Sequence, residues 1–225
     1  MIAIACLLLT VGIYWGTDRL YQRFKRTYLS PVIIVPVLLI VGLLAFRVPF
    51  ESYHAGTQVL TDLLGPATVA FAVPLYKYFQ LLKKHALEMI SSVLFGSFVA
   101  IVTSVLLAEW MQMDAQLIES MAPRSITTPI AMNVSQSLGG IPAITAVFVI
   151  MTGITGVVIG PPMIRLFRLR SSVSRGLLLG MGAHGIGTTR AFEFGRIEGV
   201  MASLAMIMGA LFTLGMIRGV LGLMM

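Results

Sequence analysis

Two short stretches carry paired threonines next to residues that start or interrupt helices. The first runs Thr127-Thr128-Pro129, and the second runs Thr188-Thr189-Arg190 after Gly185 and Gly187. A threonine before proline favours a helix start, because the hydroxyl can cap the first amides and proline fits the first turn. In the second stretch we expect the helix to begin at Ala191-Phe192-Glu193. Helix starts bind anions through free amides and the positive end of the dipole, so each stretch predicts an anion site.

Three further side chains near these pairs could supply charge or a proton. Arg190 either contacts a substrate or forms an ion pair with Glu193, three residues later on the same helix face. His184 either donates to a carboxylate or shuttles a proton, or else it hydrogen-bonds a carbonyl left free by the helix break. For Arg124 we favour the plainer interpretation, an anchor at the outer membrane interface.

Other chemistry finds no support in the sequence. No nucleophile–base–acid set, phosphate-binding glycine loop or cofactor fingerprint is present, so we expect no enzyme and no cofactor. The fifteen methionines are not accompanied by clustered Cys, His, Asp or Glu, and we therefore expect no metal site. The net charge of +7 does not indicate nucleic acid, because the basic residues lie in short loops between apolar runs.

The composition of the chain indicates the class of protein that holds these residues in place. Apolar residues make up 57% of the chain, charged residues only 11%, and the mean hydropathy is +0.93. A water-soluble protein of this size needs many more polar residues on its surface. We predict an all-α, multi-pass membrane protein forming one transmembrane domain over residues 1–225, with the N-terminal apolar run kept as a helix rather than removed as a signal peptide.

Six apolar runs are candidate membrane spans: Ile2–Trp15, Pro31–Phe46, Leu60–Tyr76, Leu87–Leu107, Ile141–Ile159 and Gly199–Ile217. The basic cluster of Arg19, Arg23, Lys25 and Arg26 assigns the first loop to the cytoplasm. In the third run, Gly65-Pro66 and Pro74 predict kinks or unwound turns.

Two interrupted stretches remain, Met121–Gly139 and Gly176–Gly195. In the layout that we favour, the first enters from outside and returns, and the second enters from the cytoplasm and returns. The sixteen Lys and Arg then lie in cytoplasmic loops, except for Arg47, Arg124, Arg190 and Arg218. The alternative layout lets both stretches cross, gives eight spans and moves the later arginine cluster (Arg165–Arg175) to the opposite side. We rank that layout lower.

Opposed broken segments predict an internal polar cavity and indicate an inverted repeat, since irregular backbone at membrane depth must be buried or face water. Asn133, Ser135 and Gln136 either line this cavity or lie at its outer rim. The predicted substrate-binding residues are Thr127, Thr128, Asn133, His184, Thr188, Thr189 and Arg190. The predicted helix-break residues are Gly65, Pro66, Pro74, Pro129, Gly185 and Gly187.

Four stretches of the chain resemble the LrgB/CidB family. They are Tyr53–Tyr76 with its Leu-Leu-Gly-Pro-Ala sequence, Arg124–Ala131, Gly139–Thr145, and the segment from Ser174 to Leu204. They follow in order and span nearly the whole chain. Thr189-Arg190 departs from the pattern, since a small residue and a lysine are expected there; an arginine offers a planar fork better suited to a carboxylate.

The resemblance implies two accounts of function. Bacterial members are described as holin/antiholin-like proteins that modulate murein hydrolase export and autolysis beside a small LrgA/CidA-like membrane partner. The plant plastidal glycolate/glycerate translocator resembles a fusion of both partners, and some bacterial pairs are linked to pyruvate uptake. We favour transport of small 2-hydroxy or 2-oxo monocarboxylates by alternating access across the bacterial inner membrane, with the antiholin-like regulator as the alternative. Small-residue faces on the fourth and sixth spans permit a homodimer.

Overall fold

The computed structural model describes residues 2–24, 29–70 and 72–224, and these contain helices and no strand. Lys25 and Arg26 of the first basic cluster lie outside the described residues. Twelve helices are found in this part of the chain: α1 (Ile2–Phe24), α2 (Pro31–Ala45), α3 (Phe50–Asp62), α4 (Leu64–Ala70), α5 (Ala72–Lys77), α6 (Phe79–Lys84), α7 (Ala86–Trp110), α8 (Ala115–Met121), α9 (Thr128–Leu138), α10 (Pro142–Leu166), α11 (Ser172–Phe194) and α12 (Arg196–Met224). The predicted all-α class is confirmed.

The helices group into two compact units, residues 1–67 and 68–225. In the first unit, α1 packs against α2 and α3, and the Thr10 hydroxyl lies 3.1 Å from the Tyr53 hydroxyl. Arg19 stacks on Trp15 with its guanidinium carbon 3.7 Å from the ring centre. Since Arg19 and Arg23 lie on α1 itself, the helix continues beyond the apolar run that the sequence marks.

Three of the described helices are long and apolar enough to cross a membrane: α7, α10 and α12. The fifteen-residue α2 is apolar but shorter. The third predicted span, Leu60–Tyr76, is not one helix, because α3 ends at Asp62 and α4 begins at Leu64. Gly65 and Pro66 lie in the first turn of α4, where proline's missing amide leaves no bond unmade, and Pro74 lies within α5.

In the second unit, α8, residues 122–127 and α9 form a hairpin that returns to its starting end; we call it the first hairpin. The Gln116 side chain donates to the Gly139 carbonyl at 3.4 Å, and the Ile141 amide donates to the Ser120 hydroxyl at 2.7 Å. Gly139 ends α9 in the left-handed conformation, with φ of 111°. Because α10 begins at the end where α7 finishes, these two long helices run in opposite directions.

α11 forms the second hairpin. Its backbone leaves helical geometry at His184, with φ of 46° and ψ of −126°. The halves on either side fold together so closely that a methyl group on Gly187 would overlap the Leu179 carbonyl oxygen. Since the hairpin follows the far end of α10, the two hairpins enter the unit from opposite ends. The second half of α11 begins directly after His184, so the prediction that this helix begins at Ala191 is wrong.

A buried ion pair joins the two ends of the second hairpin. Arg175 in the first turn of α11 contacts Glu198 in the first turn of α12, with 3.0 Å between Nη2 and Oε1. The Glu198 side chain is only 6% exposed. Arg190 and Glu193 also pair, on the returning half of α11, but their side chains are 21% and 25% exposed. The two pairs therefore differ in how far solvent screens them.

α12 is the most deeply buried of the three helices that are long and apolar enough to cross a membrane. Met201, Leu204 and Ala205 pack against Met89 and Val93 of α7. Further along, Ala210 and Ile217 join a cluster with Ile101 and Val105 of α7 and with Ile126 of the first hairpin. The matching order of contacts shows that α7 and α12 run in the same direction, with both hairpins packed beside them.

Gly187→Ala tests the closeness of the second hairpin. We expect it to lower the free energy of unfolding by about 1–3 kcal/mol, because the added methyl has no space against the Leu179 carbonyl. Gly185→Ala is the matched control, since nothing lies within 4 Å of a methyl group there. Thermal unfolding in detergent measures both, and equal Tm values for the two variants would contradict the described hairpin.

Glu198→Gln tests the buried ion pair. We expect a loss of about 3 kcal/mol in stability, because Arg175 is left charged and partly buried without its partner. Glu193→Gln should cost less than about 1 kcal/mol, since that pair is more exposed. Denaturation of the two purified variants under identical conditions gives the comparison, and a larger cost at Glu193 would refute the ranking.

Candidate functional site

The tips of the two hairpins meet against the middle of α10. From the first hairpin, Arg124 reaches Thr152 of α10. From the second, the Gly182 carbonyl lies so close to Gly156 that a methyl group there would overlap it. The two interruptions of helical backbone are thereby brought to one place, as the two opposed breaks in the sequence suggest.

Arg124 lies at the centre of this junction. Its Nε donates to the Ser104 hydroxyl of α7 at 2.8 Å, and its Nη1 donates to the Thr152 hydroxyl at 3.2 Å. Both partners are neutral, and no carboxylate pairs with Arg124 within the described ranges of the chain. The guanidinium therefore lies between two helices and is held by both, and an anchor at the outer membrane interface stays a prediction.

Two cavities flank Arg124, with volumes of about 490 and 380 Å³. Arg124, Thr152 and Gly182 line both of them. The larger is otherwise mostly apolar, with Phe148 and Met151 among its lining residues. Volumes of this size, apolar walls and a few convergent polar groups are typical of small-molecule sites.

The start of α9 lies three residues after Arg124. Thr127 is the N-cap residue, Thr128 the first helical residue, and Pro129 occupies the first turn. The cap is therefore one residue earlier than a Thr-before-Pro start suggests. The Thr127 hydroxyl makes no capping bond, although the residue is buried. One polar group and the first amides of α9 are thus not used by the cap itself.

His184 forms the turn of the second hairpin and is 3% exposed. Its imidazole lies beside the Ser125 backbone and close to the Arg124 charge. Its Nε2 has no hydrogen-bond partner among the described residues. A positive φ is uncommon outside glycine, so packing against the first hairpin holds His184 in a strained conformation.

The second threonine pair is occupied by local bonds. The Thr188 hydroxyl donates to the His184 carbonyl at 2.9 Å, and the Thr189 hydroxyl donates to the Gly185 carbonyl at 3.2 Å. Arg190 bonds Glu193 and lies over the Phe194 ring. Of the two roles expected for Arg190, the structure contains the ion pair. These residues lie along the returning half-helix, away from the Arg124 cavities as their lining residues define them.

The polar residues of α9 divide between its two faces. Asn133 and Gln136 are exposed, whereas Ser135 is buried and accepts a 2.7 Å bond from Thr145 of α10. None of the three lines either cavity beside Arg124. Ser135 instead fixes α9 to α10.

Sequence reasoning did not single out Ser104 and Thr152, the two partners of Arg124. Each is one of several hydroxyl residues within a long apolar helix, where such side chains most often bond their own backbone. Both do so here as well, Ser104 to Ala100 at 2.5 Å and Thr152 to Phe148 at 2.7 Å. No spacing in the sequence links them to Arg124, which is 20 residues from one and 28 from the other.

Comparison with known proteins identifies one matching family and several relatives of this chain. Residues 10–223 match the LrgB-like family. The chain is 53% identical to YwbG of Bacillus subtilis (strain 168) over 213 residues, covering 95% of each chain. It is 39% identical to YxaC of the same strain, covering 93% of this chain and 91% of YxaC.

A relative with a more descriptive name is the antiholin-like protein LrgB of Bacillus mycoides (strain KBAB4). It is 36% identical over 187 residues, which cover 83% of this chain and 81% of that protein. No solved structure matches the chain. With a family match over nearly its whole length and apolar helices long enough to cross a membrane, this chain is a membrane protein of the LrgB-like family.

Proposed function

We propose that the chain carries small organic anions across the bacterial inner membrane, with Arg124 as the charged group that receives them. One observation supports this most directly. Among the described residues, the Arg124 guanidinium is held by two neutral hydroxyls at the junction of the two hairpin tips, next to two cavities.

The energetics of an arginine in a membrane support an anionic ligand. A charged side chain at mid-membrane costs about 2.5–3.5 kcal/mol on insertion scales, so such residues usually pair or serve a function. Ser104 and Thr152 give hydrogen bonds but no opposite charge, and two of the three guanidinium nitrogens are engaged by them. An anion in either cavity would supply the missing charge, and a carboxylate matches the remaining donor edge.

The neighbouring polar groups suit small 2-hydroxy or 2-oxo monocarboxylates. Thr127 and the first amides of α9 follow Arg124 within a few residues, and His184 lies beside Ser125, although none of them lines either cavity. A ligand at Arg124 that extends towards α9 would meet these neutral hydrogen-bonding groups. Arg124 replaces Arg190 as the charged residue in this proposal, because Arg190 already pairs with Glu193. Thr128 keeps its proposed contact through its backbone, whereas Thr188, Thr189 and Asn133 become peripheral.

The proposed membrane arrangement has about six spans and two re-entrant hairpins within a single transmembrane domain. The hairpins enter from opposite ends of α10, which is the relation that an inverted repeat requires. Movement of the hairpin-bearing helices against their surroundings would then open the junction to one side at a time. A small LrgA/CidA-like membrane protein is the proposed partner.

Antiholin-like regulation is the second candidate, and the names of the curated relatives favour it over transport. Several Bacillus proteins that are 35–36% identical to this chain are named antiholin-like. In that account the hairpins complete a structural core, Arg124 stabilises it, and the chain modulates murein hydrolase export together with its partner. Such a protein would carry no saturable anion flux.

Arg124→Gln separates the two candidates. We expect uptake of labelled pyruvate and glycolate into proteoliposomes to fall at least about 100-fold, because loss of one charge-assisted contact costs about 3 kcal/mol. Arg165→Gln, an exposed position at the end of α10, is the control for loss of a positive charge and should keep the wild-type rate. Release of an entrapped dye is followed in parallel, with and without the small partner.

Saturable, mutually competitive uptake without dye release, lost only in Arg124→Gln, supports the carrier. Dye release, or the absence of flux even with the partner present, would instead support the antiholin-like regulator. Equal uptake by Arg124→Gln and wild type would show that the site has been assigned to the wrong residue.

A further inference from the structure

The larger cavity beside Arg124 has more apolar wall than a three-carbon acid can cover. Its volume is about 490 Å³. An acid of the size of pyruvate would fill less than about half of that space, even if each of its non-hydrogen atoms took the roughly 30 Å³ of a liquid water molecule. The rest of the cavity lies beside five large apolar side chains, which are Leu107, Met121, Phe148, Met151 and Ile159.

Much of this wall follows one face of α10, on both sides of the residue that bonds Arg124. Phe148 precedes Thr152 by about one helical turn, and Ile159 follows it by about two. At about 1.5 Å of rise per residue, the wall continues for roughly 10 Å beyond Thr152. An acid whose carboxylate lies at Arg124 can therefore place a substituent of several carbons along α10.

The wall is partly enclosed by the protein and partly open. Met121 is buried and Phe148 is half-buried, whereas Leu107, Met151 and Ile159 are 43%, 59% and 46% exposed. The inner part of the cavity is therefore fixed in shape, and the open rim can accommodate substituents of different lengths. Each methylene group that leaves water for such a wall strengthens binding by up to about four-fold.

The polar end of such a ligand faces different residues. The smaller cavity, of about 380 Å³, shares Arg124, Thr152 and Gly182 with the larger one and is also lined by Thr103 and Ser125. Because Arg124 lines both cavities, a ligand bound to it can extend into both. An oxo or hydroxyl group next to the carboxylate would then lie on the side of the hydroxyl residues, and the substituent on the apolar side.

We infer that the site selects 2-oxo or 2-hydroxy acids that carry a branched aliphatic or aromatic substituent. This inference rests on the proposed function, since it needs Arg124 to receive a carboxylate. The acyl chain of a lipid would match the apolar wall but not Arg124, which lines the same cavity. A three-carbon acid would match Arg124 but leave much of the wall uncovered. An acid with an apolar substituent satisfies both.

Isothermal titration calorimetry of the purified full-length protein in detergent tests this selectivity. The ligands are pyruvate, 2-oxobutanoate, 4-methyl-2-oxopentanoate and phenylpyruvate, with 4-methyl-2-pentanone as an uncharged analogue. We expect 4-methyl-2-oxopentanoate to bind at least about 10-fold more tightly than pyruvate and with a more negative heat-capacity change, because it buries more apolar surface. The ketone should not bind. Arg124→Gln should bind none of the acids, and titration of this variant also corrects for ligand that enters the micelles.

Leu107→Trp tests the larger cavity itself. The larger ring at the rim takes space that the substituent needs, so the preference for 4-methyl-2-oxopentanoate over pyruvate should fall at least about 10-fold. Leu106→Trp is the matched control and should keep the wild-type preference, because Leu106 is 52% exposed and lines neither cavity. Met151→Gln provides a second variant if Leu107→Trp does not fold. It keeps the length of the side chain at an exposed position, removes its apolar character and should also lower the preference.

Equal affinity for pyruvate and 4-methyl-2-oxopentanoate would overturn the selectivity and leave the carrier proposal intact, with lipid covering the apolar wall. Binding of the ketone as tightly as the acid would also overturn it, because the wall would then act without Arg124. An unchanged preference in both Leu107→Trp and Met151→Gln would show that the substituent does not lie in this cavity. If no acid binds the wild-type protein, this inference and the carrier proposal fail together.

Discussion

The contact between the two hairpin tips is the interaction on which the second unit depends. Each tip interrupts a helix, at residues 122–127 and at His184, and each interruption leaves backbone groups that hydrocarbon cannot satisfy. Placing the tips against one another and against α10 buries both within the second unit. The same arrangement brings Arg124 between Ser104 and Thr152, where its charge is solvated by hydroxyls. The same contact therefore buries the irregular backbone and creates the polar centre around Arg124.

Small residues make this contact sterically feasible. Gly156 of α10 admits the Gly182 carbonyl, and Gly187 admits the Leu179 carbonyl within the second hairpin. A β-carbon at either position would separate elements that now touch through backbone atoms, as in other close helix contacts in membranes. At the open end of the second hairpin, the Arg175–Glu198 ion pair neutralises a glutamate that is almost fully buried. Close glycine contacts and the Arg175–Glu198 ion pair thus act together at the second hairpin.

The sequence predicts the helical class, the family and the existence of two interrupted stretches, because hydropathy, glycine and proline are local signals. The residue at which the helix is interrupted in the second stretch is predicted less well. His184 breaks the helix despite the adjacent Gly185, since contact with the first hairpin outweighs local backbone preference. The predicted substrate-binding residues also include Arg190 but not Arg124. Glu193 lies three residues from Arg190 and is visible locally, whereas the hydroxyl partners of Arg124 come from distant helices and carry no sequence signature.

The most direct test of the central claim is equilibrium binding of pyruvate and glycolate to the purified protein, read as the rise in Tm with ligand concentration. Since no carboxylate pairs with Arg124 among the described residues, wild type should be stabilised in a saturable manner. Arg124→Gln should show no ligand-dependent shift in Tm at the same ionic strength. Chloride at matched concentration controls for screening of the exposed charges. If Arg124→Gln is stabilised as strongly as wild type, or if neither responds, Arg124 does not receive an organic anion and the account of the junction as a ligand site is wrong.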